Sequence, residues 1–255
     1  MSDKVVLLER HDRVALITLN RPEARNAVNA AMAAALAAAL DELDGDSGLL
    51  VGVLTGAPPC FSAGMDLKAF AAGETPFLEG RGFAGIAERS SSKPLIAAIE
   101  GFALAGGLEV ALACDLIVAA RDARLAIPEV KRGLFAAAGG LLRLPRRIPY
   151  HVAAEMALTG EALSAERLHE LGLINRLTEP GGAVDAAFDL AAMITPNSPL
   201  AVRTSKTILE RQQDWPLEEA WRRQAELFDQ VIAAPDAMEG AIAFAEKREP
   251  NWQTQ

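Results

Sequence analysis

One continuous stretch restricts the fold of this chain more than any other: PLIAAIEGFALAGGLEVALACDLIVAARDARLAIPE, from Pro94 to Glu129. Leu95 to Ile99 is a short apolar run with β-branched residues, closed by Pro94 on one side and Gly101 on the other, which predicts a buried strand. A turn follows. Gly106-Gly107 then opens a second apolar run, Leu108 to Cys114, too long and too rich in Ala and Leu for another strand, so a helix is expected to begin at the glycine pair. Ala105, Leu108, Val110, Ala111, Leu112 and Ala113 offer that helix no wet face, so it must be packed on all sides. With 255 residues, 51% of them hydrophobic, the chain can enclose such a helix in a globular core.

The same stretch suggests chemistry. A helix start leaves its first backbone N–H groups unpaired at the positive end of the dipole, and glycines there let a ligand oxygen approach them, which is the geometry of an oxyanion site. Glu109 has two readings. A carboxylate in a first helical turn is favoured by the dipole and is common there; yet on a helix with no polar face, burying one without cause is costly. Glu129, after Pro128, likewise reads either as a helix-start carboxylate or as a functional group.

The rest of the chain alternates strands and helices as an α/β domain does. Val5–Glu9 and Val14–Leu19 are expected as strands around a His11-Asp12 turn, with His11 a turn residue. Asn29 should cap a long helix carrying Met32, Leu36, Leu40 and Leu43 on one stripe, ended by Asp44-Gly45-Asp46. Leu49–Thr55 is the next buried strand. In the following loop, Cys60 to Leu67, small residues permit close backbone approach and Asp66 can cap a short helix, Leu67–Ala71. Residues 72–92 predict a loop with one helix around Phe83–Arg89. Leu116–Ala119 and Leu125–Ile127 read as strands, and Leu141–Arg147 and Val152–Leu158 as helices. From Ser164, a further N-cap, the character is helical; Thr195–Pro199 breaks the chain before two or three more helices, of which Pro216–Ile232 sets Leu217, Ala220, Trp221, Gln224 and Phe228 on one side, a face for the core or for another subunit.

A net charge of −9 argues against a nucleic-acid footprint, while leaving room for a local basic pocket. No apolar run is long enough to span a bilayer and no signal region opens the chain, so a soluble cytoplasmic protein is expected. Cys60 and Cys114 give neither a disulfide framework nor a metal spacing.

Taken together, RPEARNAVN, CFSAGMDL, KPLIAAIEGFALAGGLEVALACDLIVA, IPEVKRGL, LTGEALSAERLHELGLIN and FAEKREPNW resemble the crotonase superfamily, the enoyl-CoA hydratase/isomerase family, over nearly the whole chain. The resemblance implies an α/β spiral of ββα units over residues 1–195 and a C-terminal helical trimerisation region over 196–255. It implies acyl-CoA thioesters as substrates, assembly as a homotrimer or dimer of trimers, and no metal or redox cofactor. Carried over position by position, the backbone N–H groups of Met65 and Gly106 would hold the thioester oxygen. Glu109 would chiefly activate water and Glu129 exchange the Cα proton. Ala24, Arg25, Ala63, Asp66 and Lys247 would contact CoA. Because both glutamates are present, the resemblance implies a hydratase, or the reverse dehydratase, in preference to a single-carboxylate isomerase. Ala136 stands where many members have proline, and Lys131-Arg132 where small or apolar residues are common, which bears on the acyl group more than on the reaction.

Three rivals stand beside that reading: another crotonase-type reaction (isomerase, hydrolase, decarboxylase or dehalogenase), a non-catalytic acyl-CoA or RNA-binding protein on the same fold, and a serine or cysteine acyl-transferase. The last has Cys60 near the oxyanion loop, but no histidine close in sequence and no G-x-S-x-G elbow.

Overall fold

The structure is a computed structural model that describes residues 4–89 and 91–253. Strands β1 (Val6–His11) and β2 (Val14–Leu19) form the expected hairpin. His11 is not in the turn: it ends β1 opposite Val14, and its ring meets Phe188 edge-on at 5.1 Å. Helix α1 (Ala30–Gly45) starts at Asn29, whose side chain accepts the Met32 N–H at 3.0 Å, and buries Met32, Leu36, Leu40 and Leu43. Strand β3 (Val51–Gly56) leads to helix α2 (Leu67–Ala71), capped by Asp66.

The helix expected around Phe83–Arg89 is absent. Strands β4 (Phe77–Leu78) and β5 (Gly82–Phe83) pair as a small hairpin there. Gly82, Ala84 and Gly85 have φ of +70°, +56° and +71°, so the backbone repeatedly enters the left-handed region and no right-handed helix can propagate.

Strand β6 (Leu95–Ile99) is followed not by a bare turn but by a short strand, β7 (Phe102–Leu104), which feeds helix α3 (Gly106–Leu112). Next come β8 (Leu116–Ala120), β9 (Arg124–Ala126), a 3-10 turn over Pro128–Arg132, α4 (Gly140–Arg147) and α5 (Tyr150–Thr159). Strand β10 (Leu163–Ser164) precedes α6 (Ala165–Glu170), where the Ser164 hydroxyl accepts the Arg167 N–H as a cap. Strand β11 (Arg176–Thr178), α7 (Ala183–Ile194), α8 (Pro199–Arg211), α9 (Leu217–Ile232) and α10 (Pro235–Glu246) complete the chain.

The main sheet has six strands in the order β1-β2-β3-β6-β8-β11, parallel from β2 onward. Its central strands bury both faces, as parallel strands do. Leu95, Ala97 and Ile99 of β6 face a core shared with α1 and α3, while Ile96 and Ala98 face a second core closed by Ala183, Ala187 and Ala191 of α7. A three-stranded sheet, β10-β9-β7, stands next to the first. Asp115, at the α3–β8 junction, accepts the Leu95 N–H and the Lys206 ammonium, each at 2.7 Å, tying β6 and α8 to that corner. In contrast, α9 buries none of its residues, so its Leu217, Trp221 and Phe228 face outward. Among the described residues no helix is long and apolar enough to cross a membrane.

Candidate active site

The site begins with a buried polar stitch. Arg25 and Asn26 have φ of 54° and 53°, a double left-handed turn that drives the Asn26 side chain inward. Its Nδ2 donates to the carbonyls of Ala57 and Cys60, both at 2.7 Å, and its Oδ1 accepts the Arg21 N–H. The Ser62 hydroxyl donates to the Asn26 carbonyl at 2.8 Å and accepts the Gly64 N–H at 3.1 Å. The Asn26 and Ser62 side chains are thereby satisfied, and they tie the RPEARN and SAGMD loops together.

Residues 62–66 lie between that loop and β7. On one side Ala63 N–H donates to Arg25 O, Val28 N–H to Gly64 O and Asp66 N–H to Val28 O. On the other, Leu104 N–H donates to Ser62 O at 3.0 Å. Met65 sits in the middle, and its own N–H has no acceptor among the described residues. The start of α3 approaches backbone to backbone: a Cβ on Gly107 would stand 2.4 Å from Ser62 O, and one on Gly64 (φ +90°) would stand 2.9 Å from the Gly106 nitrogen. Ala105, at φ 52° and ψ −129°, turns the chain from β7 into α3. The Gly106 N–H also has no acceptor among the described residues. A Cβ on Gly106 would come within 2.6 Å of the Phe83 ring, which, with Phe77 edge-on at 5.5 Å, walls that amide with hydrocarbon. Two amides without acceptors among the described residues thus lie on segments that approach each other backbone to backbone.

The two carboxyls complete the site. Glu109, in the first turn of α3, is 3% exposed, and its Oε1 accepts the N–H groups of Ala138 at 2.7 Å and Gly140 at 2.9 Å. Its Oε2 accepts no hydrogen bond from the described residues. Burial pushes the Glu109 carboxyl up to about 7; the charge of Glu129 adds to the rise, and the Gly140 and Ala138 amides and Arg143 oppose it. Glu129, in the Pro128–Arg132 turn, is also raised by burial. Both Glu129 oxygens are buried with no hydrogen-bond partner, an expensive state for a carboxyl unless something else binds there.

The other expected positions divide. Ala24, Arg25 and Ala63 lie together at the rim of the stitched loops, with Arg25 exposed. The Asp66 carboxylate is committed: Oδ2 takes both Nη of Arg21 at 3.1 Å and Oδ1 caps α2, so a ligand can meet Asp66 only through its backbone. Lys247 is the left-handed C-cap of α10, and no hydrogen bond or ion pair joins it to that rim among the described residues. Ala136 is buried beside Glu109, both lying 3.1 Å from a Cβ built on Gly140. Lys131 points elsewhere, to Glu161 at 2.7 Å. Cys60 and Cys114 are buried thiols that burial raises, Cys114 to about 12, which removes the activated thiolate an acyl-transferase needs.

Asn26, Arg21 and the Ala138 and Gly140 amides were not foreseen as site components. Backbone donors carry no side-chain signal, and Asn26 is legible only as a polar residue destined for the core. Among the described residues no group of His, Cys, Asp and Glu is placed to hold a metal ion. A cavity of about 1000 Å³ between α4 and α8, lined by Ala138, Gly139, Arg143, Arg147, Lys206 and Leu209 among others, includes neither glutamate.

A parallel-sheet core with two unpaired amides on closely approaching segments and two carboxyls with buried oxygens is the arrangement of a crotonase-superfamily enzyme. The chain belongs, within that class, to the enoyl-CoA hydratase/isomerase family, whose model matches residues 9–255. A solved enoyl-CoA hydratase from Mycobacterium tuberculosis H37Rv is 58% identical, with a TM-score of 0.97 over 99% of this chain and 100% of that one. A carnitinyl-CoA hydratase structure from Mycobacterium avium is 42% identical, with a TM-score of 0.79 over 99% of each chain. Carnitinyl-CoA dehydratase of Salmonella arizonae is 41% identical over 96% of this chain and 97% of its own length.

Proposed function

We propose that the protein catalyses the reversible addition of water across the 2,3 double bond of an enoyl-CoA thioester. The observation that carries this reading is Glu129: a carboxyl with both oxygens buried and unpartnered among the described residues, close enough to Glu109 for its charge to oppose ionisation there. Two carboxyls in that relation favour sharing one proton, so one is an acid while the other is a base.

The thioester oxygen accepts the N–H groups of Met65 and Gly106, which are aimed before the reaction begins and need no reorganisation as charge arrives. Glu109, held by Ala138 and Gly140, takes a proton from water through its free oxygen. The hydroxide bonds to Cβ, the double-bond electrons move onto the thioester oxygen as an enolate, and protonated Glu129 delivers its proton to Cα. The proton on Glu109 passes back to Glu129, so one water is consumed and the enzyme is restored. Dehydration is the same path reversed. Ala24, Arg25 and Ala63 hold CoA at the rim, with the backbone of Asp66, and Lys247 reaches it from α10. No cofactor beyond the CoA of the substrate enters this scheme. The outward apolar face of α9 serves assembly as a homotrimer or dimer of trimers.

The test is loss of the conjugated thioester absorbance with enoyl-CoAs of short, medium, long and branched chain, and its appearance from carnitinyl-CoA, on which relatives are named as acting. Glu109→Gln and Glu129→Gln should each remove most of the activity. A wild-type protein inert in both directions on the whole panel would sink the hydratase reading and favour another crotonase-type reaction or simple acyl-CoA binding.

A further inference from the structure

Behind Glu109 stands a basic group that the scheme above leaves without a task. Arg143 projects from α4 and is only partly exposed. Its Nη2 donates to the Ala87 carbonyl at 2.6 Å and its Nη1 to the Ala138 carbonyl at 3.3 Å. Gly139 has a left-handed backbone at φ +101°, and a Cβ there would stand 2.0 Å from Arg143 Nη1, so the guanidinium occupies that side of the loop. The guanidinium therefore lies against the backbone of the loop. The peptide unit it grips, Ala138–Gly139, lies between the two amides that clamp Glu109 Oε1. No hydrogen bond or ion pair joins Arg143 to Glu109 directly.

We propose that Arg143 is a positioning residue: by gripping the Ala138–Gly139 peptide it aims the two amides at Glu109, and its charge keeps that buried carboxyl able to ionise. The inference rests on the reading of Glu109 as the water-activating group. The elements packed around the pair bring the following charges. Glu109 faces Glu129 from the Pro128–Arg132 turn and Arg143 from α4. Arg143 also faces Glu210 from α8 and Cys114 from the α3–β8 junction, and Arg147 lies one turn along α4. Arg143 is therefore the cation set against Glu109, a carboxyl that burial and the charge of Glu129 push toward protonation. Removing it frees the peptide that carries the two amides and takes away that charge, both of which favour the ionised form, so the Glu109 titration must move upward.

The experiment uses the full chain with carboxyl-13C glutamate, Glu109 being assigned by the signal lost in Glu109→Gln. Arg143→Met and Arg143→Gln should raise the Glu109 midpoint by about one pH unit, while Arg143→Lys, which keeps the charge, should return most of the shift. In turnover, the acid limb of the kcat profile should move up by the same amount. Activity near pH 7 would then fall about fivefold and recover above pH 9, with KM changed far less. An unmoved Glu109 midpoint in a folded Arg143→Gln protein overturns the proposal. So does a loss of kcat that is equal at every pH. The carboxyl titration needs no substrate, so if the wild type turned over no acyl-CoA, the hydratase reading would fail while the role of Arg143 was still decided.

Discussion

Glu109 shows how a single side chain trades stability for chemistry. Its folded-state proton affinity, raised to about 7 from an ordinary 4.5, means the native state binds a proton that the unfolded state releases. The associated stability is fully present below about pH 4.5 and is lost as pH rises through 7, a term on the order of 3 kcal/mol. Glu109→Gln keeps an oxygen to accept the Ala138 and Gly140 amides and never ionises. It should therefore melt roughly 6–12 °C higher than wild type at pH 8, with the difference vanishing at pH 4, and calorimetry at the two pH values checks this. Gly106 is constrained differently. Gly106→Ala sets a methyl 2.6 Å from the Phe83 ring, so the helix start must shift and its free amide lose aim. A fall in kcat on the order of a hundredfold is expected with the circular dichroism spectrum unchanged, the size seen when one oxyanion donor is lost.

At the scale of elements, the short turn into α3 stores strain in a useful place. Ala105 at φ 52° and ψ −129° occupies backbone space that a side chain disfavours, and the connection holds because β7, β9 and the SAGMD segment fix both of its ends. Ala105→Gly should relieve about 1–2 kcal/mol of that strain, offset in part by the added freedom of the unfolded chain, for a net gain of under about 1 kcal/mol. Denaturant titration measures the gain, and a loss of stability would show that Ala105 is unstrained. The same turn marks where sequence legibility ends. The long helix α1 was readable because Asn29 and a four-residue stripe report one cap and one face, and β6 because Pro94 and Gly101 bound it. Strand β7 was not, since Phe102–Leu104 pairs only with residues brought from 62 and from β9, and nothing local reveals those partners. The helix read around Phe83–Arg89 failed because Ala84 takes a left-handed backbone that composition does not announce. In the site, the burial of Glu109 was legible from its apolar neighbours. The clamp from Ala138 and Gly140 was not, because it is built of backbone.

For the whole molecule, the decisive feature is what the chain leaves uncovered. Leu217, Trp221 and Phe228 of α9 are 82%, 77% and 58% exposed, and Met238 and Phe244 of α10 are 66% and 88% exposed. An apolar face of that kind marks an interaction surface, and identical chains satisfy it most simply in a closed ring. Sedimentation should show a trimer or a multiple of it. Leu217→Glu with Trp221→Glu should give a folded species of lower mass, and a monomeric wild type would refute the assignment of that face. The kinetic consequence is sharper. Lys247 ends α10 with no hydrogen bond or ion pair to the CoA rim of its own chain among the described residues, and we propose that it meets the CoA bound by a neighbouring copy. Dissociation should then raise KM for the CoA thioester severalfold and leave kcat nearly intact, because Glu109, Glu129 and both amides come from one chain. Lys247→Ala in the intact assembly should raise KM in the same way, whereas an unchanged KM there would remove Lys247 from the site.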